Sequence, residues 1–140
     1  MTVLHSESME LHTPEDIVLV RQAVRKKAVA LGFGLVDQTK VVTASSELAR
    51  NMLNYGGGGT VQLEVVQNDR RSGLRLVFED HGPGIADIEQ AMKDGYTSGQ
   101  GMGLGAFLAH LFAQTLGGQL SFESAPGHGC TATLELPDLR

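Results

Sequence analysis

At 140 residues the chain has the size of a single domain, 1–140, with room for a real core, and its 41 % apolar and 19 % charged residues are ordinary for a globular protein. A net charge of −5 with no basic stripe argues against a nucleic-acid partner. Cys130 stands alone, which excludes an internal disulfide and suits a reducing compartment, and no apolar run or leader pattern points to a membrane, so the expected location is the cytoplasm.

Val3 to His12 alternates loosely and reads as an edge strand. Thr13-Pro14-Glu15-Asp16 reads as a helix start, with Thr13 as cap, Pro14 in the first turn and two acids at the positive end of the helix dipole. Ile17, Val20, Val24, Ala28 and Leu31 recur at helical spacing as its buried stripe. Arg21, Arg25, Lys26 and Lys27 form a basic cluster, read as a solvated face, with a docking face for an acidic partner as the alternative. A second helix is predicted from about Asp37 to Tyr55, with Val41, Ala44, Leu48, Met52 and Tyr55 on its apolar stripe. Glu47 and Asn51 are four apart and share a face beside that stripe.

Thr60 to Gln67 and Gly73 to Asp80 alternate as two strands joined by a polar hairpin turn, Asn68 to Ser72. Asp80 has the parity of Leu74, Leu76 and Phe78, so its carboxylate points to the core side, which is tolerable only if it is paired or reaches a cavity. Asp87 to Gln100 reads as a mobile segment with a short helical piece around Ile88 to Met92. Leu104 to Leu116 is apolar almost all round and is expected to be well buried. Gln119 to Ser124 and Cys130 to Leu136 read as short strands.

The glycines concentrate the chemistry. Asp80-His81-Gly82-Pro83-Gly84-Ile85 and Gly99-Gln100-Gly101-Met102-Gly103-Leu104-Gly105 let backbone N–H groups approach a ligand, the second just before a helix, where such groups favour phosphate. A strand-end carboxylate suits an amino group on a base. Together these features describe a nucleotide site: Asp80 on the exocyclic amine of adenine, Gly82 and Gly84 in the turn beneath the base, and Gly99 to Gly105 around the phosphates. Asn51 would offer an amide oxygen to Mg²⁺, and Glu47 would take a proton from an attacking hydroxyl or water. Singly, each feature has a plainer reading as a solvent-facing helix pair, a tight turn or a flexible connector; their order and spacing carry the reading. A P-loop is absent, and so are the His-Arg-Asp and Asp-Phe-Gly motifs of eukaryotic-type kinases. Gly101-x-Gly103-x-x-Ala106 fits a dinucleotide fingerprint but follows no apolar strand.

In that order, Glu47-x-x-x-Asn51, Asp80-x-Gly82-x-Gly84-Ile85, Gly101-x-Gly103-Leu104-Gly105 and Gly127-x-Gly129 resemble the GHKL ATPases, and the likeness spans Glu47 to Leu136. The resemblance implies the Bergerat fold, an α/β (α+β) two-layer sandwich in which helices cover one face of a mixed, mostly antiparallel sheet, with ATP under a lid. Glu47-Leu48-Ala49-Arg50-Asn51 and Ala91-Met92-Lys93-Asp94-Gly95-Tyr96-Thr97-Ser98 are similar to anti-sigma-factor-type serine/threonine kinases, in particular switch kinases of the RsbT type. That resemblance implies phosphorylation of a Ser or Thr on a STAS-domain protein in a partner-switching stress pathway, with a downstream phosphatase or sigma factor as a further partner. It assigns Glu47 as catalytic base, Asn51 as Mg²⁺ ligand and Asp80 as adenine anchor. Gly82, Gly84 and Ile85, with Thr97, Ser98, Gly99, Gly101, Met102, Gly103, Leu104 and Gly105, complete the ATP site. The alternative is a non-catalytic ATP-binding anti-sigma or phosphatase-activating module. The family usually has Thr after the last glycine; here Cys130 stands there and Thr131 follows. A thiol is the weaker hydrogen-bonding group, so adenine is either held more loosely or held by Thr131.

Overall fold

The structure is a computed structural model that describes residues 2–82, 103–124 and 129–136, with Asn68 and residues 103–107 described for the backbone alone. Five strands form one sheet: β1 (Thr2–Leu11), β2 (Gly59–Asn68), β3 (Arg71–Asp80), β4 (Gln119–Ser124) and β5 (Cys130–Leu136). Their order is β1-β2-β3-β5-β4, and all four pairings are antiparallel, with no parallel pair among the described residues. Helices α1 (Pro14–Ala30), α2 (Leu35–Gly56) and α3 (Gly103–Thr115) make the second layer, with α2 between the other two. No helix among the described residues is long and apolar enough to cross a membrane.

Local chemistry sets the element ends. Thr13 caps α1 through its side chain, and the Asp16 carboxylate returns to the backbone N–H groups of His12 and Thr13, closing a capping box. Those bonds, that of the His12 N–H foremost, hold the Asp16 carboxyl below its ordinary pKa. α1 buries Val20, Val24 and Ala28, and Lys27 of its basic cluster reaches Glu7 on β1 at 3.4 Å. α2 begins two residues earlier than the sequence pattern suggests, and it buries Val41, Ala44, Leu48 and Met52. The β2–β3 turn is tighter than expected: the ladder runs to Asn68↔Arg71, and Asp69 takes a left-handed φ of 59°.

Strand parity separates two faces. Val61, Leu63, Leu74, Leu76, Phe78, Ala132 and Leu134 join the helices in one core. The opposite face carries Gln62, Glu64, Arg75, Ser121, Glu123, Thr133 and Glu135 around an open polar groove. Glu64 is buried there because Arg75 Nε donates to its Oε1 at 2.7 Å, and this bond raises the Arg75 pKa further above its usual value.

α3 departs from the expectation of burial all round. Ala109, Ala113 and Leu116 are buried, whereas Leu111 is 39 % exposed and Gln114 and Thr115 face outward. α3 packs against α2 and, less extensively, β4 and β5, which leaves Leu111, Gln114 and Thr115 outside, so an apolar sequence does not secure an enclosed helix.

Candidate nucleotide site

Between α2 and the ends of β3, β4 and β5 lies an open pocket, with about 440 Å³ of space that runs out into solvent. Its lining is mostly apolar: Leu48, Met52 and Tyr55 from α2, Phe78 from β3, Phe122 from β4 and Ala132 from β5. Asn51, Gly56, Asp80 and Cys130 complete it. A mostly apolar lining with few polar groups suits an aromatic base.

Asp80 ends β3 on the core side, as its parity requires, and is 8 % exposed. Its Oδ1 accepts the backbone N–H of Gly82 at 2.9 Å and that of Cys130 at 3.1 Å. Two N–H donors on one oxygen stabilise the buried carboxylate and leave Oδ2 as the acceptor turned toward Gly56. Backbone approach here is close on three sides. A Cβ at Gly56 would overlap the Asp80 carboxylate, and one at Gly82 would meet the Gly56 Cα at 2.7 Å. Gly129 has φ 78°, and a Cβ there would strike the Asp80 carbonyl. Gly82 and Gly129, picked out in the sequence as glycine-motif positions, are therefore required by packing around one carboxylate.

On the helix side, Asn51 reaches the pocket, and its buried Nδ2 has no hydrogen-bond partner among the described residues. Glu47, one turn earlier on α2, lies outside the lining, 21 % exposed, with its Oε1 accepting from Arg50 at 2.7 Å. Asn51 precedes Gly56 by five residues, so it sits about 7.5 Å along the helix axis from the level of Asp80. The carboxylate and the amide thus address different parts of a bound molecule.

The structure places Asn51 and Asp80 in one pocket lining and Gly82 against Asp80, whereas Glu47 lies one helical turn from Asn51 and outside that lining. It does not bring Thr131 there. Cys130 and Ala132 line the pocket, so the pleat turns Thr131 to the opposite face with Thr133, where it is paired with Glu79. Of the two alternatives left open by the sequence, compensation by Thr131 is excluded by strand parity. Gly103, Leu104 and Gly105 form the first turn of α3. Gly84, Ile85, Thr97, Ser98, Gly99, Gly101 and Met102 lie outside the described residues, as does the helical piece around Ile88 to Met92.

The sequence reading missed Phe122 and Gly56 as lining residues and assigned Tyr55 to the core. Tyr55 is 48 % exposed at the pocket mouth, because the α2 stripe runs out of the core into the cavity. Cys130 is also part of the wall. Burial first, and then the Asp80 charge, push its thiol up to about 11 against an opposing bond with Ser124, so it is protonated at neutral pH.

Comparison with known proteins places this arrangement in a family. Residues 36–140 match the model described as Histidine kinase-, DNA gyrase B-, and HSP90-like ATPase, and the chain belongs to that family. Membership implies the use of ATP. Among curated relatives, the chain is 45 % identical over 97 residues to Serine/threonine-protein kinase RsbT of Bacillus subtilis, covering 69 % of this chain and 73 % of that protein. It is 32 % identical over 116 residues to Sensor-like histidine kinase SenX3 of Mycobacterium tuberculosis, covering 75 % of this chain and 28 % of that protein. The solved structure of Acinetobacter baumannii histidine kinase AdeS matches with a TM-score of 0.58 at 17 % identity, over 96 % of this chain and 68 % of that one, which supports the fold alone.

Proposed function

We propose that this chain is an ATP-dependent protein serine/threonine kinase of a partner-switching pathway that phosphorylates a STAS-domain protein in the cytoplasm. The observation that carries the reading is a half-buried carboxylate, Glu47, one helical turn before Asn51, which lines the pocket and whose amide nitrogen has no partner among the described residues. A module that only binds nucleotide has no need of a base at that position. The likeness to a serine/threonine kinase at 45 % identity supports the same conclusion.

In this reading the adenine enters the apolar slot and its exocyclic amine donates to Asp80 Oδ2. The 7.5 Å or so between the levels of Asp80 and Asn51 leaves the amide to face the phosphate end. Asn51 would offer one amide oxygen to Mg²⁺, leaving the other positions to phosphate oxygens and water. When bound, Mg²⁺ supplies charge neutralisation for phosphoryl transfer. Glu47 accepts the proton of the acceptor hydroxyl as that oxygen attacks the terminal phosphorus, and the bond to the leaving diphosphate breaks.

The test is a phosphotransfer assay with labelled ATP, Mg²⁺ and candidate STAS-domain proteins, with Glu47→Gln alongside. Acid-stable label on a candidate, lost in the variant, is the expected result. Mg²⁺-dependent ATP binding without label on any candidate would favour a non-catalytic anti-sigma or phosphatase-activating module.

A further inference from the structure

The basic cluster of α1 takes no part in the pocket. Lys27 turns to Glu7 on β1, and Arg25 donates to the Gln38 side chain on α2 at 3.3 Å. Arg21 and Lys26 are exposed and meet no acid among the described residues, in a chain whose net charge is −5.

Exposed apolar side chains share this face. Val18, Gln22, Arg25 and Val29 recur at helical spacing and form one outward stripe on α1, with Leu19 and Lys26 beside it. Across the turn, Leu35 and Val36 open α2 at 72 % and 68 % exposure, and Val29 is 55 % exposed. The turn beneath them is cross-tied. The Phe33 N–H donates to the Ala28 carbonyl at 2.9 Å, and the Gln38 amide donates to the Phe33 carbonyl at 2.8 Å while it accepts from Arg25. Side chains this exposed contribute little burial to the fold, so their grouping on a well-tied turn points to a partner.

The same face leads to the proposed base. Val36, Lys40, Thr43 and Glu47 also recur at helical spacing, all at least partly exposed, so Glu47 ends a stripe that starts at the turn, about 16.5 Å away. α1 runs back along α2 from the short turn. Seven residues along each helix from the Arg25–Gln38 contact, Val18 is about level with Ser45, close to Glu47. The outer face of this hairpin is therefore a patch about 16.5 Å long and two helices wide, apolar at both ends and basic between, with Glu47 at one corner. That small size suits a transient encounter, as between an enzyme and a protein substrate that must part after transfer.

We propose that the outer face of the α1–α2 hairpin docks the acceptor protein, through an apolar surface of that protein interspersed with Asp and Glu, and so delivers its hydroxyl to Glu47. The proposal rests on the kinase reading above and deepens it, because it puts recognition of the acceptor on residues outside the ATP site. Arg21 and Lys26 orient the encounter, and Val29, Leu35 and Val36 anchor it.

The experiment is steady-state transfer to the STAS-domain protein labelled in the assay above, with two paired variants: Arg21→Glu with Lys26→Glu, and Leu35→Ser with Val36→Ser. In each, KM for the acceptor is expected to rise on the order of tenfold or more, while kcat, KM for ATP and the urea midpoint stay near wild type. Arg21→Lys with Lys26→Arg should behave as wild type, and added salt should raise the acceptor KM of wild type but not of the charge-reversed pair. An acceptor KM within about 2-fold of wild type in either paired variant overturns the proposal and leaves the kinase reading standing. Loss of self-association in the variants at unchanged acceptor KM also overturns it, and makes the face a contact between copies of the chain. If wild-type protein labels no candidate, the kinase reading falls and this proposal with it. Should Leu35→Ser with Val36→Ser not fold, the charge-reversed pair and the salt dependence decide.

Discussion

On the strand side of the pocket, Asp80 is almost enclosed, takes two backbone N–H groups, and is approached by Gly56, Gly82 and Gly129 so closely that none has room for a Cβ. On the helix side, among the described residues, Glu47 is tied to Arg50, which is 51 % exposed, and the Asn51 amide nitrogen has no partner. The first arrangement is held in place by the fold itself and leaves Asp80 Oδ2 as its open acceptor. The second has polar capacity left over, which a ligand would use. Base recognition and phosphoryl transfer should therefore separate under mutation.

The largest expected effect is on the helix side. Glu47→Gln keeps the shape but not the proton-accepting charge, so transfer should fall about 10²- to 10⁴-fold while ATP affinity, measured by calorimetry, stays unchanged. Equal transfer by the variant would remove Glu47 from the role of base. Asp80→Asn should do the reverse. The Asn side chain keeps a carbonyl oxygen for the Gly82 and Cys130 N–H groups, but its amide nitrogen takes the place of the acceptor, and ATP affinity should fall about 10- to 100-fold. An affinity within a factor of about two of wild type would mean that the base does not meet Asp80.

Next in size is the glycine packing. Gly129→Ala places a Cβ against the Asp80 carbonyl at a left-handed φ, and should cost about 1–3 kcal/mol in urea unfolding. Because it displaces the strand end, it should weaken ATP binding as well, which the substitution Glu47→Gln should not.

Much of this division was legible in the chain. The Thr13 cap with its first-turn acids, the alternation of β3 that turns Asp80 inward, and the spacing of Glu47 and Asn51 are local patterns, and local patterns survive folding. The second pocket wall was not legible in the same way. Phe122 and Cys130 meet Asp80 only because β5 pairs with β3 and β4 with β5, and strand order is a long-range choice that no short window encodes. Parity within β5 was nonetheless available: Ala132, Leu134 and Leu136 mark the core side, which includes Cys130 and excludes Thr131. Tyr55 and Leu111 show the complementary limit, since apolar periodicity assigns a face without saying whether that face meets core, cavity or solvent.

Cys130 supplies a smaller test of the strand side. Its folded pKa is raised from 9.0 to about 11, so the folded protein holds the thiol proton longer than the unfolded chain does. The resulting stabilisation is fully present below pH 9.0 and is lost as pH rises to about 11. Over that window wild-type protein should lose unfolding free energy relative to Cys130→Ala, while the two should run parallel between pH 6 and 8, to about the precision of denaturant extrapolation.

The smallest expected effect sharpens the comparison most. Arg50 and Glu47 form an i, i+3 pair with the arginine half exposed, a geometry whose contribution to stability is about 0.2–0.5 kcal/mol. Arg50→Ala should therefore leave the urea midpoint and ATP affinity nearly unchanged. If the pair is only a surface contact, transfer should change by less than about 3-fold, because a bond this weak can bias the Glu47 side chain by no more than that. A loss of transfer on the order of a hundredfold at unchanged KM for ATP would instead show that the guanidinium holds Glu47 against the acceptor hydroxyl. The helix side would then be as fully organised as the strand side, with its order resting on one arginine rather than on close-packed glycines.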